Sequence, residues 1–264
     1  MSAQAPTVLE RILAETREQV EHRKREQPLE VELRAHDPVP REGGRLAHAL
    51  SAPGIGVIAE FKRRSPSAGA LREQPDLREI LSAYERGGAV ALSVLTEGPN
   101  FGGSLEDLRL ASTVSELPRL RKDFILDSYQ LQEAVLASAD AVLLIVAALE
   151  QERLRSLHET AGALGLDVLV EVHDREELLR ALAVGAELIG INNRDLRDFS
   201  VDVDRTARMM GEMPAGVTVV SESGIMNPEQ LRSLEGLGVQ AVLVGEFLMR
   251  AADPGAAIRG LRNF

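Results

Sequence analysis

The chain of 264 residues carries a formal net charge of −11 and contains no cysteine. The length fits one large domain or two small ones; the acidity argues against a general nucleic-acid or anionic-membrane binder; and the lack of thiols removes disulfides, thiolate metal sites and cysteine nucleophiles. Hydrophobic residues at 44% and charged residues at 27% are globular proportions rather than those of a disordered chain. No run of about 18 apolar residues occurs, so no transmembrane helix is expected. Glu10, Arg11 and Glu15 interrupt the apolar core that a signal peptide needs, so a cytoplasmic protein is expected.

Residues 1–54 read as an extension. Thr7 is placed to cap a helix whose apolar face is Val8, Leu9, Ile12, Leu13 and Val20. Between Gln27 and Pro53 the residues Pro28, Pro38, Pro40, Gly43 and Gly44 give loop chemistry with room for one short helix. From residue 55 to 264 short apolar runs alternate with amphipathic segments. The runs are Val57–Ala59, Ala89–Leu95, Pro118–Leu120, Ala141–Val146, Val168–Val172, Leu188–Ile191, Val217–Val220 and Ala241–Val244, eight in all. Helical patterns between them include Leu105–Val114, Tyr129–Ala137, Glu150–Ala163, Glu176–Ala183 and Pro228–Leu237. Gly88, Gly185 and Gly238 stand where helices hand over to strands.

Near-continuous apolar strands separated by helices imply a parallel sheet covered on both faces. Eight such units in about 210 residues fit a closed (β/α)8 TIM barrel, a fold of roughly 250 residues. The alternative is an open doubly wound sheet, which usually has a Gly-rich turn after its first strand. Here that strand runs instead into Glu60-Phe61-Lys62-Arg63-Arg64, which favours the barrel.

Barrel active sites lie at the C-terminal strand ends. There the chain places Glu60 and Lys62, Lys122 and Asp123, Glu171 and His173, Asn192 and Asn193, Glu222 and Ser223-Gly224, and Gly245-Glu246. Bent into a barrel, these tails are expected to face one mouth with two lysines, several carboxylates, two amides and two glycine turns. Taken singly, a charge ending a strand is usually solvated, an Asn at such a junction usually caps a helix, and glycine usually makes the turn. His173 has no second histidine at ligand spacing, which argues against a metal. The lysines change the weighing. Of 30 basic residues only three are lysine, and two of these, Lys62 and Lys122, end strands at the same rim, while Lys24 looks incidental. A flexible ammonium can transfer a proton, whereas a guanidinium stays charged. The two glycine turns after strands seven and eight suggest phosphate held by backbone N–H groups.

The segment Glu60-Phe61-Lys62-Arg63-Arg64-Ser65-Pro66-Ser67 with Gly69 resembles the E-x-K-x-x-S-P-S-x-G signature of the indole-3-glycerol-phosphate synthase family of tryptophan biosynthesis. Phe101-Gly102-Gly103-Ser104, Leu120 to Phe124, Leu169 to His173, Ile189 to Leu196, Ser221 to Ile225 and Leu243 to Glu246 match in the same order, so the resemblance covers the whole barrel. It implies a decarboxylating ring closure and dehydration of a carboxyphenylamino-deoxyribulose phosphate, with no metal and no organic cofactor. An aromatic carbon is a poor nucleophile, so the ketone it attacks needs a proton donor. The resemblance gives that role to Lys122, and a second acid–base role to Glu171. It leaves Lys62 between phosphate binding and dehydration. Glu60, Asn192 and Ser223 complete the catalytic set it implies. It makes Ser65, Gly224, Gly245 and Glu246 phosphate or substrate contacts, sets Arg194 and Glu222 at the mouth, and lines the ring pocket with Phe101, Phe124 and Leu196. The extension is expected to help cover that pocket.

Phe247 stands where members often carry Ser, so the resemblance lends no hydroxyl contact there, and Ser128 replaces a common Pro at a helix entry. The implied partner is a phosphorylated small molecule, with no nucleic acid and no membrane; a monomer and a weak association with other tryptophan-pathway enzymes both stay open. Rival readings fit less well. Phosphoribosylanthranilate isomerase uses a cysteine, the histidine-pathway barrels use paired aspartates, and a Schiff-base aldolase or a non-catalytic metabolite-binding barrel would leave several of these residues unexplained.

Overall fold

The computed structural model describes residues 6–27, 43–195 and 200–263. Eight parallel strands close into a barrel: β1 Gly56–Phe61, β2 Ala91–Leu95, β3 Arg119–Lys122, β4 Ala141–Ile145, β5 Asp167–Val172, β6 Leu188–Asn192, β7 Thr218–Glu222 and β8 Ala241–Val244. Each strand pairs with the next in sequence, and β1 closes the ring on β8 with Ile58 opposite Leu243. This is the expected (β/α)8 barrel, with strands where the apolar runs fall. One run was cut short by charge. The run ending at Leu120 continues through Arg121 and Lys122, because the period of two turns Arg121 outward into a buried network with Asp123 and Glu133 while Lys122 points inward.

Helices fill the connections: α1 Val8–Glu26, α2 Arg45–Leu50, α3 Leu77–Gly87, α4 Leu105–Val114, α5 Ser128–Leu136, α6 Gln151–Ala163, α7 Arg175–Leu182, α8 Arg205–Met210, α9 Pro228–Gly236, α10 Glu246–Arg250 and α11 Pro254–Arg262. Their starts were legible. The Thr7 side chain accepts from the Glu10 N–H and the Glu10 carboxylate bonds back to the Thr7 N–H, a capping box. Asp127 and Asn227 cap α5 and α9 in the same way. Gly88, Gly185 and Gly238 take the left-handed φ values of +91°, +78° and +84° that end a helix.

Alternation along the strands makes two cores. Val57, Leu92, Val94, Val142, Val170 and Val242 point outward and pack under the helices. Ile58, Leu120, Leu143, Leu169, Val220 and Leu243 point inward and fill the barrel axis. The short α2 closes the N-terminal end of this inner core with Leu46 and Leu50, both fully buried. Its first N–H groups are not capped by a neighbouring side chain. Asp167, at the start of β5, accepts them from Gly44, Leu46 and Ala47 at 2.9, 2.7 and 3.1 Å. Among the described residues of the segment expected to be a loop between Gln27 and Pro53 there is one short helix, α2, and residues 28–42 lie outside the described residues.

At the other end α1 packs Leu9, Ile12 and Leu13 into the cluster that includes Phe124. Arg23 pairs with Glu133 at 2.7 Å, and Lys24 reaches Asp127 at 2.9 Å, so Lys24 ties α1 to the cap of α5 rather than standing incidental. Among the described residues no helix is long and apolar enough to cross a membrane.

Candidate active site

The strand tails open into a cavity of about 660 Å³ at the C-terminal end of the barrel, a volume in the range of small-molecule sites. Each residue to which the resemblance gave a role lies on its wall, except Leu196, which lies outside the described residues; of the other strand-end residues, Asn193 and His173 do not.

Lys122 is the centre of charge. Its Nζ lies 3.1 Å from Glu171 Oε2 and 3.4 Å from Glu222 Oε2. Burial disfavours the ammonium, but Glu171, Glu222 and Glu60 outweigh it, and the pKa is raised above the ordinary lysine value. The two glutamates respond in opposite directions. Burial would raise the Glu171 carboxyl, yet Lys122, His173 and the Asn192 amide together hold it below the usual carboxylate range. Glu222, pushed up first by burial and then by Glu171 and Glu60 against the pull of Lys122, reaches about 7. Its Oε1 has no hydrogen-bond partner among the described residues. Two carboxyls beside one ammonium thus separate into a firm anion and a group that carries a proton near neutral pH.

Asn192 is oriented by its own turn. Its Oδ1 accepts the Arg194 N–H at 3.0 Å, which leaves the amide NH2 to donate to Glu171 Oε1 at 3.1 Å. Asn193 does not join the mouth, contrary to expectation. The side-chain period turns it outward, where its amide bonds Ser221, Ser223 and Thr206 and fastens the loop after β6 to β7 and α8. The mouth therefore has one amide.

Glu60 and Lys62 share a face of β1, as the alternation requires, and pair at 2.6 Å. Their space depends on Gly245: a Cβ there would sit 2.1 Å from Glu60 Oε1 and 3.1 Å from Lys62 Nζ. The same device recurs at Gly190, where a Cβ would fall 2.2 Å from Glu222 Oε1. Gly245 was read only as a phosphate turn, and Gly190 was given no role. In the folded chain both glycines leave room for carboxylates of the adjacent strands, a spacing no local pattern reveals.

The turn after β7 is strained. Ser223 holds φ +67° and Gly224 φ +82°. A left-handed non-glycine residue costs on the order of 1–3 kcal/mol and persists where the surroundings fix it. With Gly224, Ser223 puts two left-handed residues into one turn, and successive backbone N–H groups in a turn can form a concavity that binds anions. After β8, Gly245 leads into α10, whose first residue is Glu246. Val201 and Val203 cover Gly224, where a Cβ would lie 2.8 and 2.9 Å from their methyl groups.

The opposite wall is apolar. Phe101 and Phe124 face each other with ring centroids 6.2 Å apart and planes tilted by 37°. Arg63, not singled out from the sequence, locks the loop carrying Phe101. Its guanidinium grips Asp107 at 2.5 and 2.8 Å and the Gly102 carbonyl at 3.1 Å. Ser65 accepts the Ala68 N–H at 3.2 Å and so shapes the loop after β1, while Arg194 stands at the rim 3.5 Å from Ser67. The mouth thus joins an apolar slot, a buried acid–base cluster and an N–H-rich turn. Among the described residues no group of three or more His, Asp or Glu is placed to hold a metal ion.

A family model described as indole-3-glycerol phosphate synthase matches residues 9–261. An indole-3-glycerol phosphate synthase 2 of Streptomyces coelicolor is 51% identical over 231 residues, 88% of this chain and 88% of that one. An indole-3-glycerol phosphate synthase of Kineococcus radiotolerans is 48% identical over 262 residues, covering 97% of this chain and 94% of that one. Among solved structures, an N-acetylmannosamine-6-phosphate 2-epimerase from Clostridium perfringens superposes with a TM-score of 0.61 over 76% of this chain and 90% of its own. At 16% identity that likeness is one of fold alone.

Proposed function

The chain belongs to the indole-3-glycerol phosphate synthase family, and from that premise we propose how its residues divide the work. The family reaction is that of a carboxy-lyase in tryptophan biosynthesis. It converts 1-(2-carboxyphenylamino)-1-deoxy-D-ribulose 5-phosphate to indole-3-glycerol phosphate, carbon dioxide and water.

In our reading the substrate's aromatic ring lies against Phe101 and Phe124, with Leu196 as a further contact and its carboxylate toward Arg194. The phosphate is held at the other side by the N–H groups of Gly224, Gly245 and Glu246, with Ser223 and Lys62 nearby. Ser65 shapes the loop that closes over the chain between them. Of the N-terminal extension it is α1 that helps cover the ring pocket, supported by the packing of Leu9, Ile12 and Leu13 in the cluster holding Phe124.

The chemistry then runs through the buried cluster. The ring carbon that bears the carboxylate bonds to the ketone carbon, and the ketone oxygen takes a proton from Lys122. Loss of carbon dioxide returns the electron pair to the ring and restores aromaticity. The hydroxyl so formed leaves as water, which needs an acid at the oxygen and a base at the neighbouring carbon. Glu171 and Lys62 share these transfers, while Glu60, Asn192 and Glu222 orient them. The observation that carries this reading is the Lys122 ammonium held 3.1 Å from Glu171 in the cavity. A lysine flanked by carboxylates arrives charged and donates when an alkoxide develops. A Schiff-base lysine needs a lowered pKa to be nucleophilic, and the raised value of Lys122 points the other way.

Because phosphorylated intermediates do not cross membranes unaided, the same reading places the enzyme in the cytoplasm. Its test is direct. Mixing the protein with the carboxyphenylamino-deoxyribulose phosphate should produce the indole absorbance and fluorescence, and borohydride added during turnover should leave no lysine adduct. A silent spectrum at high enzyme concentration overturns the synthase reading; a trapped adduct overturns the acid role of Lys122.

A further inference from the structure

Behind Glu171 the charge row continues away from the cavity. His173 stands two residues after Glu171, just past the end of β5, and is nearly buried, with 10% of its side chain accessible, and it does not line the cavity. Its Nε2, buried and without a hydrogen-bond partner among the described residues, lies 3.3 Å from Glu171 Oε1 as a charge neighbour, and its Nδ1 lies 3.0 Å from Glu177 Oε2 in the first turn of α7. The same Glu177 oxygen accepts the His173 N–H at 2.8 Å. Asp174 caps α7 by accepting the Glu177 N–H at 3.0 Å, which fixes the turn that brings Glu177 back to the histidine. The imidazole is thus held on one edge by a helix and presented by the other to the Glu171 carboxylate. The carboxylate's own contacts are divided: Oε2 faces Lys122, while Oε1 takes the Asn192 amide and faces His173.

The charged groups bearing on His173 are Glu171 on its own strand and Glu177 from α7. On the far side of Glu171 stand Lys122 of β3, then Glu222 of β7 and Glu60 of β1. Burial lowers the affinity of the imidazole for its proton, but the two carboxylates outweigh it and push the pKa up to about 10. The row therefore alternates in sign from Glu177 through His173 and Glu171 to Lys122 at neutral pH.

We infer that His173, held by Glu177, is a positioning residue that turns the Glu171 carboxylate toward Lys122 and keeps it anionic until its own proton transfer. This rests on the acid–base role given to Glu171. A buried carboxylate with only a neutral amide behind it gains affinity for a proton and freedom to rotate. An imidazolium behind it removes both. A purely structural histidine would anchor α7 and leave turnover untouched in a folded variant.

The test is steady-state kinetics on the full chain from pH 6 to 10.5, with folding checked by circular dichroism. His173→Gln is expected to lower kcat by about tenfold, the lower end for groups that orient reacting ligands, with KM changed less than about twofold because His173 does not line the cavity. In the unaltered enzyme kcat should fall on an alkaline limb near 10, where His173 loses its proton. Glu177→Gln keeps the imidazole but removes one of its two carboxylates, so that limb should move down by about one pH unit or more. Should His173→Gln fail to fold, the limb of Glu177→Gln decides alone. Folded variants with kcat within about twofold of the unaltered enzyme, or an unmoved limb in Glu177→Gln, overturn the inference. Glu171→Gln separates it from its premise. Near-unaltered turnover there overturns both, whereas lost turnover there with a silent His173→Gln overturns only the positioning role.

Discussion

At the N-terminal floor of the barrel the oxygens of Asp167 accept the N–H groups of Gly44, Leu46 and Ala47 at the start of α2, whereas at the mouth Glu222 keeps one oxygen with no partner among the described residues. Both carboxylates are built on inner strands of the same sheet. The floor repeats its pattern at Asp140, which pairs with Arg45 at 2.7 Å and Arg119 at 2.9 Å and also accepts the Arg119 N–H. Each acidic oxygen there meets a donor, so the charges fasten the plug formed by Leu46 and Leu50. At the mouth carboxylates outnumber the ammonium between them, and Gly190 and Gly245 remove side chains to let them approach. The difference shows how one alternating sheet serves two ends. Matched buried charges are costly to strip of their partners, and mismatched ones give groups whose protons can move.

That contrast is open to attack from both ends. The largest expected effect is at the mouth: Lys122→Ala should lower kcat by at least about 10²-fold, the lower range for general acid–base catalysis. The substitution leaves Glu171 and Glu222 buried without their ammonium, so its melting temperature should fall as well and folding is checked by circular dichroism; turnover near that of the unaltered enzyme would remove Lys122 from the acid role. Gly245→Val should lower kcat/KM by about 10²-fold, as expected when a reacting group is displaced by about 1 Å. A Cβ at that position meets Glu60 and Lys62, so the Ki of inorganic phosphate should rise together with KM. An unchanged Ki would sever Gly245 from the phosphate. At the floor the signs reverse. Asp167→Ala leaves helix N–H groups buried without acceptors and should cost about 1–3 kcal/mol in denaturant unfolding, with kcat unaltered; a fall in kcat would show that floor and mouth are coupled.

The smallest effect concerns the sign of a linkage. The folded-state pKa of Glu222 is about 7, above its ordinary 4.5, so the folded chain binds the extra proton and loses stability as pH rises from about 4.5 through 7. Glu222→Gln does not titrate. Relative to the unaltered enzyme its melting temperature should therefore gain a few degrees between pH 4.5 and pH 8. Parallel melting curves across that range would put Glu222 outside the buried cluster.

Much of this was legible along the chain, and the reason is locality. The Thr7–Glu10 capping box needs three residues, and the left-handed glycines at 88, 185 and 238 need one each. The pairing of Glu60 with Lys62 follows from two residues of strand period. The same period corrects the expectation at Asn193, because it sets alternate residues of a strand tail on opposite sides and only one of two adjacent amides can face the cavity. His173 was legible as a strand-end residue but not as the partner of Glu177, since a lone histidine carries no sign of what the following helix returns to it. Arg63 belongs with it: Asp107, 44 residues away, gives it a purpose only when the loops after β1 and β2 meet.

By itself the sequence determined the eight inward and outward alternations, the helix starts, and the placing of Lys62 and Lys122 at strand ends of one rim. It also held the ordered motifs of the family. The tertiary structure alone decided which charges meet. Lys122 finds Glu171 and Glu222, 49 and 100 positions further along, and Asp167 caps a helix some 120 positions before it. A strand dictates the side to which its residue points, but register and closure of the ring decide what stands opposite, and the free energy of a buried charge depends on that neighbour.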